Sequence, residues 1–156
     1  MENMKPMHPM KGSYRSFAIE LVLDFIIMYL VMYTMIASLD HFYFNLNNVY
    51  MTLMMVAPMV VLMILAMRHM FPSKGLNVAL LAVSVGIFFG CFALIRTQTT
   101  IDDDSFLRSM IPHHAGAILM CQQASISDPQ VKRLCGEIIQ SQRQEIDEMK
   151  KILQRL

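Results

Sequence analysis

Three long runs of apolar residues fill the first two thirds of the chain, and short polar segments separate them. The runs extend over about residues 17–39, 49–67 and 76–95. A helix needs about 20 mostly apolar residues to cross a membrane, so each run predicts a membrane-spanning helix. The first run carries Glu20 and Asp24 and is too long and too acidic for the apolar part of a cleaved signal peptide.

The pattern changes after residue 100, where charged residues and narrower apolar stripes predict two amphipathic helices. Thr100 with Asp103 resembles a capping box at the start of the first helix, which we expect to end near Ile126. The Ser-Asp-Pro run at 127–129 predicts a stop and a new start, and the second helix should end near Arg155. The expected fold is therefore an all-α membrane protein, with three transmembrane helices followed by an antiparallel helical hairpin.

The distribution of Lys and Arg in the short flanking segments predicts the orientation. The Met-rich tail at residues 1–16 carries three positive residues, the first loop, about 40–48, carries none, and the second loop carries Arg68 and Lys74. Arg96, after the third run, is the one discordant charge. We therefore expect the tail inside, and the first loop and the hairpin outside.

This orientation divides the chain into three parts. They are a cytoplasmic tail at residues 1–16, a transmembrane domain at 17–96 and an extracytoplasmic helical hairpin at 100–156. The expected location is the bacterial cytoplasmic membrane. A hairpin of about 55 residues buries little core by itself, so we also expect a homodimer or higher homo-oligomer.

Polar residues interrupt the apolar stripe of the second hairpin helix. The stripe comprises Val131, Leu134, Ile138, Gln142, Glu145, Met149, Ile152 and Leu156. When the hairpin closes at its turn, His114 on the first helix lies level with Gln142, and Met110 lies near Glu145 and Met149. Buried polar groups cost free energy unless they find partners, so this meeting of polar and thioether side chains predicts a site.

Cys121 and Cys135 also lie at one level of the closed hairpin, near its turn. Outside the cytosol they could form a disulfide. In the reduced state they could bind Cu(I) as thiolates, or they could pack together as two small side chains. The sequence leaves these three interpretations open.

Methionine is unusually abundant, with 17 residues among 156. Met51, Met55, Met59, Met63 and Met67 recur every fourth residue along the second run and so share one helix face. Thioethers are soft ligands that favour Cu(I), although methionine is also a flexible apolar filler. The stripe is therefore open to two interpretations, ordinary helix packing or a path for Cu(I).

Two segments of the hairpin resemble the signature of the DUF305 family. That signature is Met-Ile-x-His-His-x-x-Ala-x-x-Met on one helix, matched at 110–120, and Gln-x-x-Glu-Ile-x-x-Met on the next, matched at 142–149. The resemblance implies a ferritin-like helical fold, periplasmic copper binding and copper resistance. It assigns as metal-site residues Met110, His113, His114, Met120, Gln142, Glu145 and Met149.

The sequence therefore favours a membrane-anchored protein that captures Cu(I), or Ag(I), on the outer face of the membrane. In this hypothesis Met110, Met149 and one of the two histidines bind the ion, while Glu145 and Gln142 orient the imidazole. The alternatives are a copper-conducting transporter that uses the methionine stripes, or a non-metal membrane interaction module. An enzyme is not expected, because the hairpin lacks the Glu-x-x-His pairs of a di-iron site.

The expected partners are the lipid bilayer, the metal ion and further copies of the chain. A net charge of +1 without a basic run argues against a nucleic-acid partner.

Overall fold

The computed structural model describes residues 14–156, and most of the predicted Met-rich tail lies outside that range. The described residues form five α-helices and no β-strand. The helices are α1 (Tyr14–Val31), α2 (Leu46–Ala66), α3 (Lys74–Thr97), α4 (Asp103–Gln123) and α5 (Pro129–Leu153). The predicted all-helical class is confirmed for this part of the chain.

Helices α1 to α3 are long and apolar enough to cross a membrane, if the short 3-10 turn Met32–Met35 is counted with α1. Helix α2 packs against both of the others. Their shared core contains Phe17 from α1, Val60 and Ile64 from α2, and Phe71 from the loop before α3. Gly86 and Gly90 of α3 have the GxxxG spacing that allows two helices to approach closely. A Cβ atom placed on either glycine would have no neighbour within 4 Å among the described residues, so this spacing does not mediate a close helix contact within one chain.

The first apolar run ends as a helix earlier than predicted. Helix α1 stops at Val31, the 3-10 turn ends at Met35, and the chain then folds back towards α2 instead of remaining helical to Leu39. The physical reason is that Ile36 and Ala37 pack against the core of the hairpin, which satisfies their hydrophobicity outside the span.

In the structure the first loop comprises residues 36–45, and buried polar side chains hold it in place. The Tyr33 hydroxyl donates to the Tyr43 carbonyl at 2.5 Å. The Asn45 side-chain amide donates to the Tyr33 hydroxyl at 3.1 Å, and its oxygen accepts from the Asn48 backbone N–H at 2.8 Å, which caps α2. Because buried donors and acceptors must be paired, the network specifies one path for the loop.

Helices α4 and α5 form the predicted antiparallel hairpin. Both helices start at an aspartate cap. Asp102 accepts a hydrogen bond from the Ser105 N–H at 2.9 Å and caps α4, whereas the sequence predicted Thr100 as the cap. Asp128, just before Pro129, caps α5. Helix α4 continues through Pro112. The hairpin core contains Leu107, Ile111, Ala115 and Ile118 of α4 with Ile146 and Met149 of α5.

The buried face of α5 differs from the predicted stripe near the turn. Val131 and Leu134 are 43% and 53% exposed, although both were assigned to the buried stripe. The partly buried Ile139 and the buried Ile146 occupy the inner face instead. Near the turn, the predicted stripe therefore follows a different row of α5 positions from the one that is buried. Apolar residues occupy more than one row of this helix, and the sequence pattern does not decide which row faces α4.

The hairpin lies at the same end of the three apolar helices as the first loop. Lys150 of α5 contacts Asp40 at 2.5 Å, and Asn47 at the start of α2 donates to Ser109 of α4 at 3.2 Å. At the opposite end, the Tyr14 hydroxyl donates to Asn77 at 2.9 Å. The first loop and the hairpin therefore form one end of the molecule, and the second loop lies at the other.

Candidate metal-binding site

His114 of α4 faces α5 and meets Glu145. The His114 Nδ1 lies 3.0 Å from a Glu145 carboxylate oxygen, and the Ser141 hydroxyl donates to the other oxygen at 2.8 Å. The nitrogen is buried, and among the described residues it makes no aligned hydrogen bond. Burial lowers the pKa of His114 below its usual value, Glu145 opposes that shift, and the positive charge of a protonated His113 reinforces it.

The sequence placed Gln142 level with His114, but the observed contact is to Glu145, almost one turn further along α5. Gln142 is half-buried. The two α5 positions share a helix face, so the polar interruptions do meet, with a shift in register. Ser141, which binds Glu145, was not predicted as part of the site.

His113 enters different surroundings from His114. Successive residues of an α-helix point about 100° apart, since a turn contains 3.6 residues. The ring centres of the two histidines are 6.1 Å apart, and His113 lines a cavity of about 480 Å³ where α4 meets the ends of the three apolar helices. Met110 and Met120 line the same cavity. The paired histidines therefore do not face one shared position.

Thioethers from the apolar helices complete the wall of this cavity. Met32 and Met35 contribute from the 3-10 turn after α1, and Met51 contributes from α2. Together with Met110 and Met120, five methionines surround one space. Sequence reasoning treated the methionines of the spans and those of the hairpin as separate features, because no local pattern shows that a long-range fold brings them together.

The side chains of Asn47, Gln98 and Ser109 in the wall are hydrogen-bonded to one another. Asn47 donates to Gln98 at 3.3 Å and to Ser109 at 3.2 Å, and Gln98 donates to the Asn47 oxygen at 3.0 Å. These bonds join α2, the end of α3 and α4. The sulfur atoms, the His113 imidazole and the Asn48 side-chain amide are therefore the groups in the wall that remain for a ligand.

Besides the half-buried Gln142, the predicted site residues fall into three groups. Met110, His113 and Met120 line the cavity. His114 and Glu145 form the contact between α4 and α5. Met149 is buried in the hairpin core, and it does not line the cavity that His113 faces.

The donor set suits a soft ion better than a hard one. Within residues 14–156, no three His, Cys, Asp or Glu side chains cluster as a metal site, and the residues that line the cavity carry no carboxylate. Hard cations such as Ca²⁺ and Mg²⁺ are bound through oxygen, chiefly carboxylates. Neutral thioether and imidazole groups fit Cu(I) and Ag(I).

Cys121 and Cys135 are joined by a disulfide, with their Cα atoms 5.3 Å apart. This distance lies within the bridging range, about 4.4 to 6.8 Å, that their matched level predicts. In this oxidised form the sulfurs are not thiolates, so the disulfide interpretation replaces the shared metal site.

Sequence reasoning also missed His41 in the first loop. Its ring is largely buried at a cavity of about 330 Å³ that Arg143 and Asp147 of α5 also line. The signal available was a lone histidine in a loop without Lys or Arg, which does not reveal that the loop folds under the hairpin.

Comparison with known proteins identifies relatives of this chain. The family described as Domain of unknown function (DUF305) matches residues 93–154. "Uncharacterized protein L153" of Acanthamoeba polyphaga mimivirus is 40% identical over 112 residues, which cover 70% of this chain and 71% of the relative. The 112 aligned residues outnumber those of the matched domain at 93–154, and two residues of this sequence lie after position 154. The alignment therefore also covers part of the apolar helices. No solved structure matches.

Proposed function

This chain belongs to the DUF305 family, and we propose that it is a membrane-anchored protein that binds Cu(I), or Ag(I) as its chemical equivalent. The family description names no activity, so the proposal depends on the donors that this chain presents. We propose a binding role in copper handling or resistance, with the metal as cargo.

The cavity where α4 meets the ends of the three apolar helices is called the junction cavity below. The observation that carries the proposal is the grouping of Met110, His113 and Met120 on the face of α4 that lines this cavity. Met110 lies three residues before His113 and Met120 lies seven residues after it, about one and two helical turns away, so the three present two thioethers and an imidazole along one side of the helix. Both ligand types are neutral and polarizable, which favours a monovalent soft ion over Zn²⁺ or Ca²⁺.

We propose that the three apolar helices anchor this site in a membrane, with the hairpin and the first loop on the outer face. The support is the length and apolar character of the helices, together with the excess of positive residues in the tail and the second loop.

Phe106 and Leu134 remain about half exposed on the hairpin. We propose that a second copy of the chain packs against these apolar side chains.

The positions of the α2 methionines favour a protein that binds Cu(I) over a transporter that conducts it across the membrane. A path for Cu(I) across the membrane has to be enclosed, whereas Met55 of α2 and Met67, the residue after α2, lie exposed and do not line the cavity. Met51 is the member of the stripe that lines the cavity. Uptake of Ag(I) into vesicles that contain the purified chain would favour the transporter instead.

The test is a competition titration of Cu(I) between a chromophoric chelator and the full chain in mild detergent, without oxygen and with ascorbate as the reductant, so that copper stays as Cu(I) and the Cys121–Cys135 disulfide stays intact. The doubly substituted His113→Ala, His114→Ala protein should bind Cu(I) at least about tenfold more weakly than the parent. His69→Ala removes an exposed imidazole at the opposite end of the molecule and should leave the affinity unchanged.

Equal affinity of the parent and the double variant would remove copper binding by the hairpin from consideration. Far-UV circular dichroism of both proteins should show the same helix content. That control separates loss of a ligand from loss of the fold.

A further inference from the structure

The junction cavity joins side chains from two parts of the chain that the sequence keeps apart. Met32, Met35 and Met51 belong to the apolar helices and the turn after α1, whereas Met110, His113 and Met120 belong to the hairpin. We propose that these six residues form one soft-metal site shared between the membrane domain and the hairpin. This inference rests on the proposed function for the hairpin's share of the ligands and adds the three span methionines to it.

The 3-10 turn after α1 brings the backbone of Met35 close to the face of α4 that carries the proposed ligands. A Cβ atom placed on Gly116 would lie 3.5 Å from the Met35 carbonyl oxygen and 3.8 Å from the Met35 Cβ. Gly116 is three residues after His113 and four before Met120, so it lies on the same side of α4 as both. The Met35 backbone therefore lies against the side of α4 that carries His113 and Met120.

The sulfur of Met32 is positioned by α2. The Thr52 side chain is fully buried, and its hydroxyl lies 3.8 Å from the Met32 Sδ. That hydroxyl also donates to the Asn48 carbonyl at 2.7 Å, which fixes its direction. Met51, the residue before Thr52, lines the same cavity, so the thioethers of Met32 and Met51 approach from adjoining surfaces.

The chemistry of the wall selects the class of ligand. The amides of Asn47 and Gln98 in the wall are paired with each other, and among the described residues the wall carries no charged side chain. An anion would lack a cationic partner, and a hard cation would lack carboxylates. A monovalent soft ion gains thioether and imidazole ligands without needing a counter-charge, and methionine side chains are flexible enough to close around it.

A metal ion bound in this way would connect the turn after α1, helix α2 and helix α4. Binding to the folded, docked form alone shifts the equilibrium towards that form by mass action. The shared site therefore predicts that Ag(I) slows hydrogen exchange in both the first loop and α4. A site confined to the hairpin predicts slower exchange in the hairpin alone.

The decisive variant replaces the three span methionines with leucine, as Met32→Leu, Met35→Leu and Met51→Leu. Leucine keeps the volume and apolar character of methionine but has no sulfur, so folding should be little affected. The matched control is Met28→Leu, Met55→Leu and Met59→Leu, at span positions that do not line the cavity. Cu(I) affinity is measured by chelator competition on the full chain in detergent.

We expect the cavity triple variant to bind Cu(I) at least about tenfold more weakly than the parent and the control triple variant to bind as the parent does. Met51→Leu alone should show the same direction of change, and because Met51 is 44% exposed its replacement leaves the core intact. This single variant keeps the test valid if the triple variant does not fold.

The outcomes separate this inference from the proposed function. If the His113→Ala, His114→Ala protein loses affinity while the cavity triple variant binds as the parent does, the span methionines are packing or lipid contacts and the shared site is wrong. If neither protein loses affinity, the proposed function of the hairpin fails as well. Loss in both, with the control unchanged, supports the shared site.

Discussion

His113 and His114 are neighbours in the chain, yet they serve different surfaces. His114 lies against Glu145 of α5, and His113 faces the methionine-lined cavity. The roughly 100° rotation between successive helical residues makes this divergence unavoidable. A His-His pair on a helix therefore provides two separate positions, one that joins α4 to α5 and one that faces the cavity.

His41 is predicted to make docking of the first loop dependent on pH. Burial lowers its pKa, which Lys150 also lowers and which Asp40 and Asp147 oppose. The undocked histidine therefore takes up a proton more readily than the docked one, starting near its ordinary pKa of 6.5. Docking should be complete above that pH and should weaken as the pH falls below it.

Hydrogen exchange of residues 36–43 at pH 7.5 and at pH 5.5 measures this effect. Exchange should be faster at the lower pH in the parent, after correction for the intrinsic rate. In His41→Gln, which has no titrating ring, most of that difference should disappear. An equal difference in the two proteins would assign the pH dependence to other groups.

The segment between α1 and α2 acts as a cover for the hairpin. Its apolar residues Ile36 and Ala37 pack against the α4–α5 core, and the buried Asn45 anchors its end. A hairpin of two helices alone leaves one side of its core open, and the loop covers part of that side. Apolar residues beyond the end of a span are therefore explained by packing of this kind.

The disulfide between Cys121 and Cys135 is predicted to stabilise the hairpin turn. It closes a loop with a sequence separation of 14 residues. Loop closure of this size stabilises by about 3 kcal/mol, mainly through the unfolded chain. The Cys121→Ser, Cys135→Ser protein should therefore unfold at lower temperature than the parent, and α4 and α5 should lose helicity first.

Thermal unfolding followed by circular dichroism, with and without reductant, measures this stabilisation. Reductant should lower the midpoint of the parent and leave the double serine variant unchanged. Cys91→Ala, at a buried thiol of α3, should retain the response to reductant. A parent midpoint that is insensitive to reductant would show that the bond contributes little.

Residues 14–156 together place the first loop and the hairpin at one end and the second loop at the other. If α1 to α3 cross a membrane, Leu39 and the hairpin must then face the same compartment, and His69 must face the opposite one. Leu39 and His69 are both exposed, so each accepts a cysteine without loss of packing. The native cysteines are disulfide-bonded or buried and should not react.

Labelling of intact cells with a membrane-impermeant maleimide measures this topology. Leu39→Cys should react from outside, and His69→Cys should react only after the cells are permeabilised. A reporter fused after Leu156 should be active only when exported. Labelling of both cysteines from the same side would contradict the three-span arrangement, and the reverse pattern would invert the proposed orientation.

The periodicity of apolar residues was sufficient to predict the five helices, because helix length and amphipathic spacing are local properties of a chain. The turn at residues 127–129 and the matched positions of Cys121 and Cys135 also followed from local geometry, since a short turn sets the register of a hairpin. The meeting of polar residues around His114 was predicted to within about one turn.

Tertiary structure decided where each face of those helices lies. The end of α1 at Val31, the path of Ile36 under the hairpin and the burial of His41 depend on contacts between residues far apart in the chain. The same holds for Met32, Met35 and Met51, which reach the cavity only because the hairpin folds back onto the ends of the apolar helices. A sequence pattern specifies which side of a helix is apolar, but packing determines which partner covers it.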